Sequence, residues 1–375
     1  MRRLAREMWR MALKTPLHDR HVALGGRIVE FGDWLLPVQY RGVLAEHGHC
    51  RQAAAVFDTS HMGQFLLRGP DAAAQMAHVG TQDAVALPVG RCRYGFLLDD
   101  AAGVIDDTIL MRLAEEEFLL VVNAGTAAGD FQWVRGHLAG EVELVNRSAE
   151  GWGKVDLQGP RSAKVLGALV DVDLRELGYF GVARGRCCGG ECVLSRTGYT
   201  GELGYEVMAA AADLPEIFDR LLAEEAVEPA GLGARDSLRL EMCYPLYGHE
   251  LSTEHNPIEA DLGRFVRPDR EFIGAAKLRD VARAGPRRKL IAFRSASRRR
   301  TNGGNPILSD GRPVGTVTSG AFSPSLEVSI GMGYVEADLA RPGREMLVNT
   351  GRVELPVTIC DKPLYTGGTC RTKDL

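Results

Sequence analysis

No stretch of the 375 residues reaches the ~18 consecutive apolar side chains that a bilayer-spanning helix needs, so a helical membrane protein is excluded. Positive charge is not in excess either. Against 45 Lys and Arg stand 49 Asp and Glu, leaving a formal net charge of -4, whereas a nucleic-acid-binding chain carries a basic face or tail. No G-x-x-x-x-G-K-[ST] loop is present to cradle phosphates, and neither H-E-x-x-H nor G-x-S-x-G occurs. Gly231-Leu-Gly233 starts as a dinucleotide fingerprint does, but Asp236 stands where the third glycine belongs. Phosphoryl transfer, hydride transfer and hydrolysis by a serine or zinc nucleophile therefore lack their usual parts.

The eight cysteines include no pair of C-x-x-C motifs. Cys187-Cys188-Gly-Gly-Glu-Cys192 is the one cluster. With no second cluster or nearby His, it reads as strand residues flanking a Gly-Gly turn rather than a structural zinc site. Isolated thiols suit a reducing compartment and predict a cytoplasmic location. The His residues are scattered, with His18/His21 and His47/His49 the closest pairs, and they read as packing or surface groups. No metal site is expected. Residues 1–13 carry Arg2, Arg3, Arg6 and Arg10 among Leu4, Met8, Trp9 and Leu13, the pattern of a short basic amphipathic helix. They have no uninterrupted apolar core and no small-residue cleavage site, and Glu7 and the lack of Ser argue against a transit peptide. They read as an N-terminal extension.

A chain of this length accommodates two or three domains. No internal repeat is visible. The sharpest boundary falls around Val281 to Arg288, where DVARAGPRR interrupts two patterned regions. Beyond it, short apolar runs are punctuated by turns at Asp310-Gly311 and Thr350-Gly351, as in a small β-barrel or sandwich. Before it, helices are expected over Ala127 to Ala139 and Asp213 to Ala226, with β-hairpins over Val104 to Ala124 and Cys192 to Ala209. Strands and helices do not alternate as parallel βαβ units would, so an α+β class with antiparallel sheets is favoured. The expected division is 1–13, 14–283 as two α+β lobes, and 284–375 as a β-barrel-like domain.

Three stretches carry candidate chemistry. In Gly103-Val-Ile-Asp106-Asp107-Thr-Ile-Leu, two carboxylates interrupt an apolar strand pattern, and alternation lets only one face a given pocket. Asp107 and Asn123 each lie eight residues from Glu115, which sets carboxylate opposite carboxamide across the hairpin. The alternative is a strand-end pair with one capping and one solvated Asp. In Arg196-Thr-Gly-Tyr199-Thr-Gly-Glu-Leu-Gly-Tyr205-Glu206, three glycines at three-residue spacing permit a tight turn and close approach to a ligand. Tyr199 and Glu206 flank that turn; a plain hairpin with a packed Tyr and an exposed Glu is equally open. Gly231-Leu-Gly-Ala-Arg235-Asp-Ser-Leu-Arg239 reads as a glycine turn into a helix with two arginines on one face. Local salt bridging to Glu241 or Asp236 is the preferred account of Arg239.

These stretches, with KTPLHDRH, FDTSHMGQF, VVNAGT, LYGHEL and TSGAFSPSLEVSIGMGYV, follow one another in an order that resembles the T-proteins (aminomethyltransferases) of the glycine cleavage system across nearly the whole chain from Lys14. The resemblance implies a three-lobed ring with antiparallel sheets and helices around a central folate channel, ending in a β-barrel-like lobe. It implies transfer of a methylene carbon from the aminomethyl-dihydrolipoyl arm of H-protein to tetrahydrofolate, with release of ammonia and formation of 5,10-methylenetetrahydrofolate. That chemistry calls for neither metal nor flavin, and for lipoylated H-protein as partner. Residue by residue, the resemblance makes Asp107 the catalytic carboxylate near folate N10 and Glu206 the pterin-binding glutamate. It makes Arg235 a folate contact, Tyr94, Tyr179 and Tyr199 walls of the ring site, and Asn123 a pocket residue. Arg298-Arg299-Arg300 falls near where relatives present an arginine to the H-protein, and Tyr365 lies in a loosely matching C-terminal stretch.

Overall fold

The computed structural model describes residues 12–267 and 269–373. The segment read as an N-terminal extension lies, up to residue 11, outside them. The described chain is α+β with antiparallel sheets and a closed barrel, as expected.

A five-stranded sheet runs in the order Arg91–Leu98, Val104–Ala114, Glu117–Val122, Gly63–Arg68, Glu143–Asn146. A six-stranded sheet runs Val182–Cys187, Gly190–Ser195, Gly204–Ala210, Trp152–Gln158, Ala54–Asp58, Val227–Pro229. Each sheet buries one face beneath helices. The first packs on Ala72–Val79 and Ala127–His137 through Phe65, Leu67, Met76, Phe118 and Val134, and the second on Leu214–Leu222 through Val155, Leu157, Tyr205, Ile217 and Phe218. Their opposite faces meet each other, Leu66, Met111 and Leu119 packing with Val193 and Met208. Alternation along each strand is what supplies both apolar faces. Both expected helices form, shorter at their C-terminal ends than read, and both expected hairpins form. The Gly-Gly turn between Cys187 and Cys192 is a hairpin connection as well.

The two sheets repeat one topology, which the sequence does not reveal. In each, a strand leads through Gly-Pro into a helix, then into three antiparallel strands of which the last pairs with the first strand, then into a helix and an edge strand. The second copy differs by the insertion of Ala54–Asp58 beside its edge strand. Side chains have diverged, but the backbone demand after the first strand has not. Gly69 and Gly159 hold φ of +133° and +137°, and a Cβ there would come within 2.1 Å of the Glu141 carbonyl oxygen and 2.3 Å of that of Ala53.

The barrel closes in the order Arg288–Ser295, Val328–Glu336, Arg312–Ser323, Pro306–Ser309, Glu345–Asn349, Glu354–Cys360 around Ile291, Phe293, Ile307, Val317 and Val348. Asp310-Gly311 and Thr350-Gly351 make the turns expected of them, Asp310 and Gly311 both at positive φ. The helix Ala275–Ala284 ends immediately before Gly285, so the chain leaves its α+β part three residues before the first barrel strand.

Candidate functional site

The hairpin Val104–Ala114/Glu117–Val122 turns tightly at Glu115-Glu116 and pairs Ile109 with Val121, the register that puts Asp107 level with Asn123. Asn123 Nδ2 donates to Asp107 Oδ1 at 2.9 Å, and the Tyr94 hydroxyl, from the neighbouring strand, donates to Oδ2 at 3.0 Å. Tyr94 is held edge-on between Phe96 and Phe265, centroids 5.2 and 4.9 Å away. Burial, and then the charge of Asp106, push the Asp107 carboxyl up to about 7, against the pull of Tyr94 and Asn123. An acid of that strength exchanges a proton readily near neutral pH.

Asp106 is neither solvated nor a simple cap. It is fully buried and accepts from the Asn123 backbone N–H at 2.9 Å and from Asn123 Nδ2 at 2.8 Å, so one carboxamide spans both carboxylates. Asp130, from the helix Ala127–His137, packs against it. Alternation correctly separates the two aspartates onto opposite faces, yet an Asn just past the end of the neighbouring strand reaches both.

A second polar group centres on Lys154, which is 1% exposed. Its ammonium donates to Asp156 Oδ1 at 2.8 Å and to Glu206 Oε2. Asp156, wholly buried, also accepts from Thr59 Oγ1 at 2.7 Å and from Arg235 Nη1 at 3.0 Å. Burial opposes its ionisation, but Lys154 and Arg235 outweigh burial and hold it below the ordinary carboxylate range. Strand register explains the assembly: Asp156 lies directly opposite Glu206, and Lys154 is one residue pair further on the same face. Glu206 is thus mostly buried rather than exposed, with Oε2 engaged and its side chain 11% open. The Arg235 guanidinium lies 4.9 Å from the Tyr199 ring centre, and Tyr199 donates to the Pro245 carbonyl and stacks on Tyr244 at 5.9 Å.

The structure joins Asp107, Tyr94 and Asn123 directly, and Glu206, Arg235 and Tyr199 through the Lys154–Asp156 pair. The charge of Asp107 acts on Tyr199, which links the two groups electrostatically. Tyr179 lies apart, beyond Tyr244 and beside Cys370, with Arg371 over its ring. Arg239 forms the expected ion pair with Asp236 at 2.8 Å, but its buried partner is Glu250 at 3.0 Å rather than Glu241. Tyr365 packs against Arg51, which in turn pairs with Glu202 and Glu241 at 2.8 and 2.7 Å. Arg298, Arg299 and Arg300 are exposed, Arg298 resting over Phe322. Sequence reasoning missed Lys154, Asp156 and Asp130. Lys-x-Asp inside the apolar run Trp152–Gln158 was a usable signal, because a charged pair on one face of a central strand demands partners.

Comparison with known proteins places these features in a family. The model described as the GCVT N-terminal domain matches residues 17–270, and the glycine cleavage T-protein C-terminal barrel domain matches residues 288–366. The chain is 43% identical over 346 residues to the aminomethyltransferase of Moorella thermoacetica, covering 91% of this chain and 94% of that one. It is 41% identical over 364 residues to that of Symbiobacterium thermophilum, covering 94% and 97%. The crystal structure of the glycine cleavage system aminomethyltransferase T from Bartonella henselae superposes with a TM-score of 0.91 at 31% identity, over 96% of this chain and 99% of that one.

Proposed function

The chain belongs to the glycine cleavage T-protein family of folate-dependent aminomethyltransferases, and on that premise we propose the reaction it performs: the methylene carbon of an aminomethyl group, borne by the dihydrolipoyl arm of H-protein, passes to tetrahydrofolate with release of ammonia and formation of 5,10-methylenetetrahydrofolate. The observation that carries the reading is the Asp107 carboxylate, partly buried, held by Tyr94 and Asn123, and poised near neutrality.

Tetrahydrofolate presents a flat ring with adjacent N–H donors at one edge and a weakly basic N10. The residues fit such a molecule. Lys154 holds Glu206 Oε2 and, among the described residues, no donor meets Oε1, so a carboxylate oxygen is available to the donor edge. Tyr199, braced by Arg235 and Tyr244, offers an aromatic face. Tyr179 is proposed as a more distant wall and Arg235 as a direct contact. Asp107 orients N10 and takes its proton as the nitrogen bonds to the methylene carbon; Tyr94 and Asn123 keep it aimed. The carbon gains a second bond, to N5, while its bonds to the amine and to the lipoyl sulfur break; the protons given up by N5 and N10 end on the departing amine, giving ammonia, and on the sulfur, restoring the dihydrolipoyl thiol. Arg298 to Arg300 form the proposed landing point for an acidic carrier, acting mainly on encounter. The proposed division keeps folate binding within 14–283 and a supporting barrel in 284–375, and the proposed location is the cytoplasm.

The test is ammonia and methylenetetrahydrofolate production from aminomethyl-lipoylated H-protein and tetrahydrofolate, with Asp107→Asn as control. Folate-dependent ammonia release that fails in the variant supports the reading. Folate binding with no turnover on this substrate redirects it to a folate-dependent demethylase, and absence of folate binding defeats both.

A further inference from the structure

Behind Asp107 lies a pair of acids that the proposed reaction does not use. Asp106 and Asp130 are both wholly buried and their carboxyl groups meet. Asp106 has donors on one side only, the Asn123 backbone N–H and Nδ2. Among the described residues neither carboxyl oxygen of Asp130 has a hydrogen-bond partner; the Thr126 hydroxyl, near enough to draw it down, gives its hydrogen to the Asn123 carbonyl at 3.1 Å. The other groups acting on the pair are Asp107, next to Asp106 in the same strand, Tyr94 from the neighbouring strand and the Tyr247 hydroxyl, none of which supplies positive charge.

An ionised carboxylate is an acceptor only, so two of them in contact and out of water leave each other unsatisfied and repel. One proton between them removes both faults. Resting on the functional reading above, we propose that Asp106 and Asp130 share a single proton and act as a positioning pair, holding the Asn123 carboxamide and through it the Asp107 carboxylate in the orientation the transfer needs. Asp130 sits in the first turn of the helix Ala127–His137, where the backbone N–H groups favour the remaining negative charge, so the proton resides mainly on Asp106. Burial, followed by the charge of the partner for Asp106, pushes both acids upward, which accords with a retained proton. Losing that proton at alkaline pH leaves two mutually repelling carboxylates behind Asp107, which pushes the pair apart and moves the Asn123 carboxamide bound to Asp106 with it.

Asp130→Asn replaces the shared proton with a permanent N–H donor at the same charge; Asp130→Leu removes both. Isotope-edited infrared spectroscopy on the free protein reads the proton without turnover, in an Asp107→Asn background that silences the neighbouring acid. We expect a protonated-carboxyl band that persists at about pH 8 and vanishes on adding Asp130→Asn. In the otherwise wild-type enzyme, Asp130→Asn should keep kcat within about threefold near neutrality and lose the alkaline fall. Asp130→Leu should lower kcat by about tenfold or more while the tetrahydrofolate Kd moves less than about threefold. Absence of the band at pH 8, or identical kcat and pH profiles in all three proteins, overturns the proposal. Should the band behave as expected but no aminomethyl transfer occur, the shared proton stands and its positioning role falls with the functional reading.

Discussion

Replacing Asp107 by Asn should abolish transfer and at the same time make the protein more stable, and the two effects come from one number. The carboxyl titrates at 3.8 when free and at about 7 in the fold. Between these values the folded state binds more protons than the unfolded state, so stability falls as pH rises through the window and is level above it. At about 1.4 kcal/mol per unit, holding an ionised Asp107 at pH 8 costs the fold roughly 4 kcal/mol at the upper limit. Solvent reaching the partly exposed group reduces that figure. The amide also forgoes something: its oxygen can accept from Asn123, while its NH2 must find the Tyr94 hydroxyl as an acceptor, a loss of about 1 kcal/mol. A net gain of about 2 kcal/mol at pH 8 follows, equivalent to roughly 5 °C in Tm.

The assay is thermal unfolding of both proteins from about pH 5 to pH 8, with kcat and folate affinity measured alongside. The Tm advantage of Asp107→Asn should be small at the acidic end, grow toward neutrality and then flatten. kcat should fall by about 10²-fold or more with a much smaller change in folate Kd, because the carboxylate matters most as N10 loses its proton. An Asp107→Asn protein that is less stable at every pH, or whose advantage does not change with pH, would refute the picture of a carboxylate held ionised against its surroundings.

Other perturbations separate binding, docking and architecture. Glu206→Ala should weaken tetrahydrofolate binding by about tenfold or more and lower Tm as well, since it strips buried Lys154 of one partner; unchanged affinity by titration would remove Glu206 from the pterin site. Arg298, Arg299 and Arg300 changed together to Ala should raise KM for the carrier protein by about tenfold at low salt with kcat unaffected, an effect that disappears as salt is added; an unaltered KM would leave the run an ordinary solvated loop. Glu241→Ala should cost about 3 kcal/mol in urea unfolding, because it removes the carboxylate beside buried His47, strips Arg51 of one of its two carboxylate partners and frees Ser323 and Ser325. Burial opposes ionisation of Glu241, but His47, Arg51 and Ser323 hold it down to about 2, so its contribution is present above the free value of 4.5 and should be lost only as pH falls toward 2.

How far the sequence reached depended on how far apart in the chain the contacting residues lie. The Asp107–Asn123 contact was readable because both residues belong to one hairpin and stand equally far from Glu115. The two-residue turn sets Ala114 against Glu117, and continued unchanged it would bring Asp107 opposite Ala124; the irregular pairing between Arg112 and Ala114 shifts the register by one residue and brings Asn123 there instead. The barrel turns were readable for the same local reason. The Lys154–Glu206 pair was not, because it depends on how strands 52 residues apart are aligned, and apolar alternation alone fixes which face a residue takes but not its neighbour. Asp130 lay further still from inference: on a helix its position reads as a favourable acid in the first turn, and only docking of that helix beside the strand turns it into the partner of Asp106. The repeated topology of the two sheets escaped for the opposite reason. It rests on backbone conformation, and the two copies share little beyond Gly69-Pro70 and Gly159-Pro160, where a carbonyl presses so close that no side chain fits. Contacts that define the proposed chemistry therefore arise where one lobe's local, legible hairpin meets residues brought in by packing, and it is the second set that decides whether Asp107 is an ordinary surface acid or one poised near neutrality.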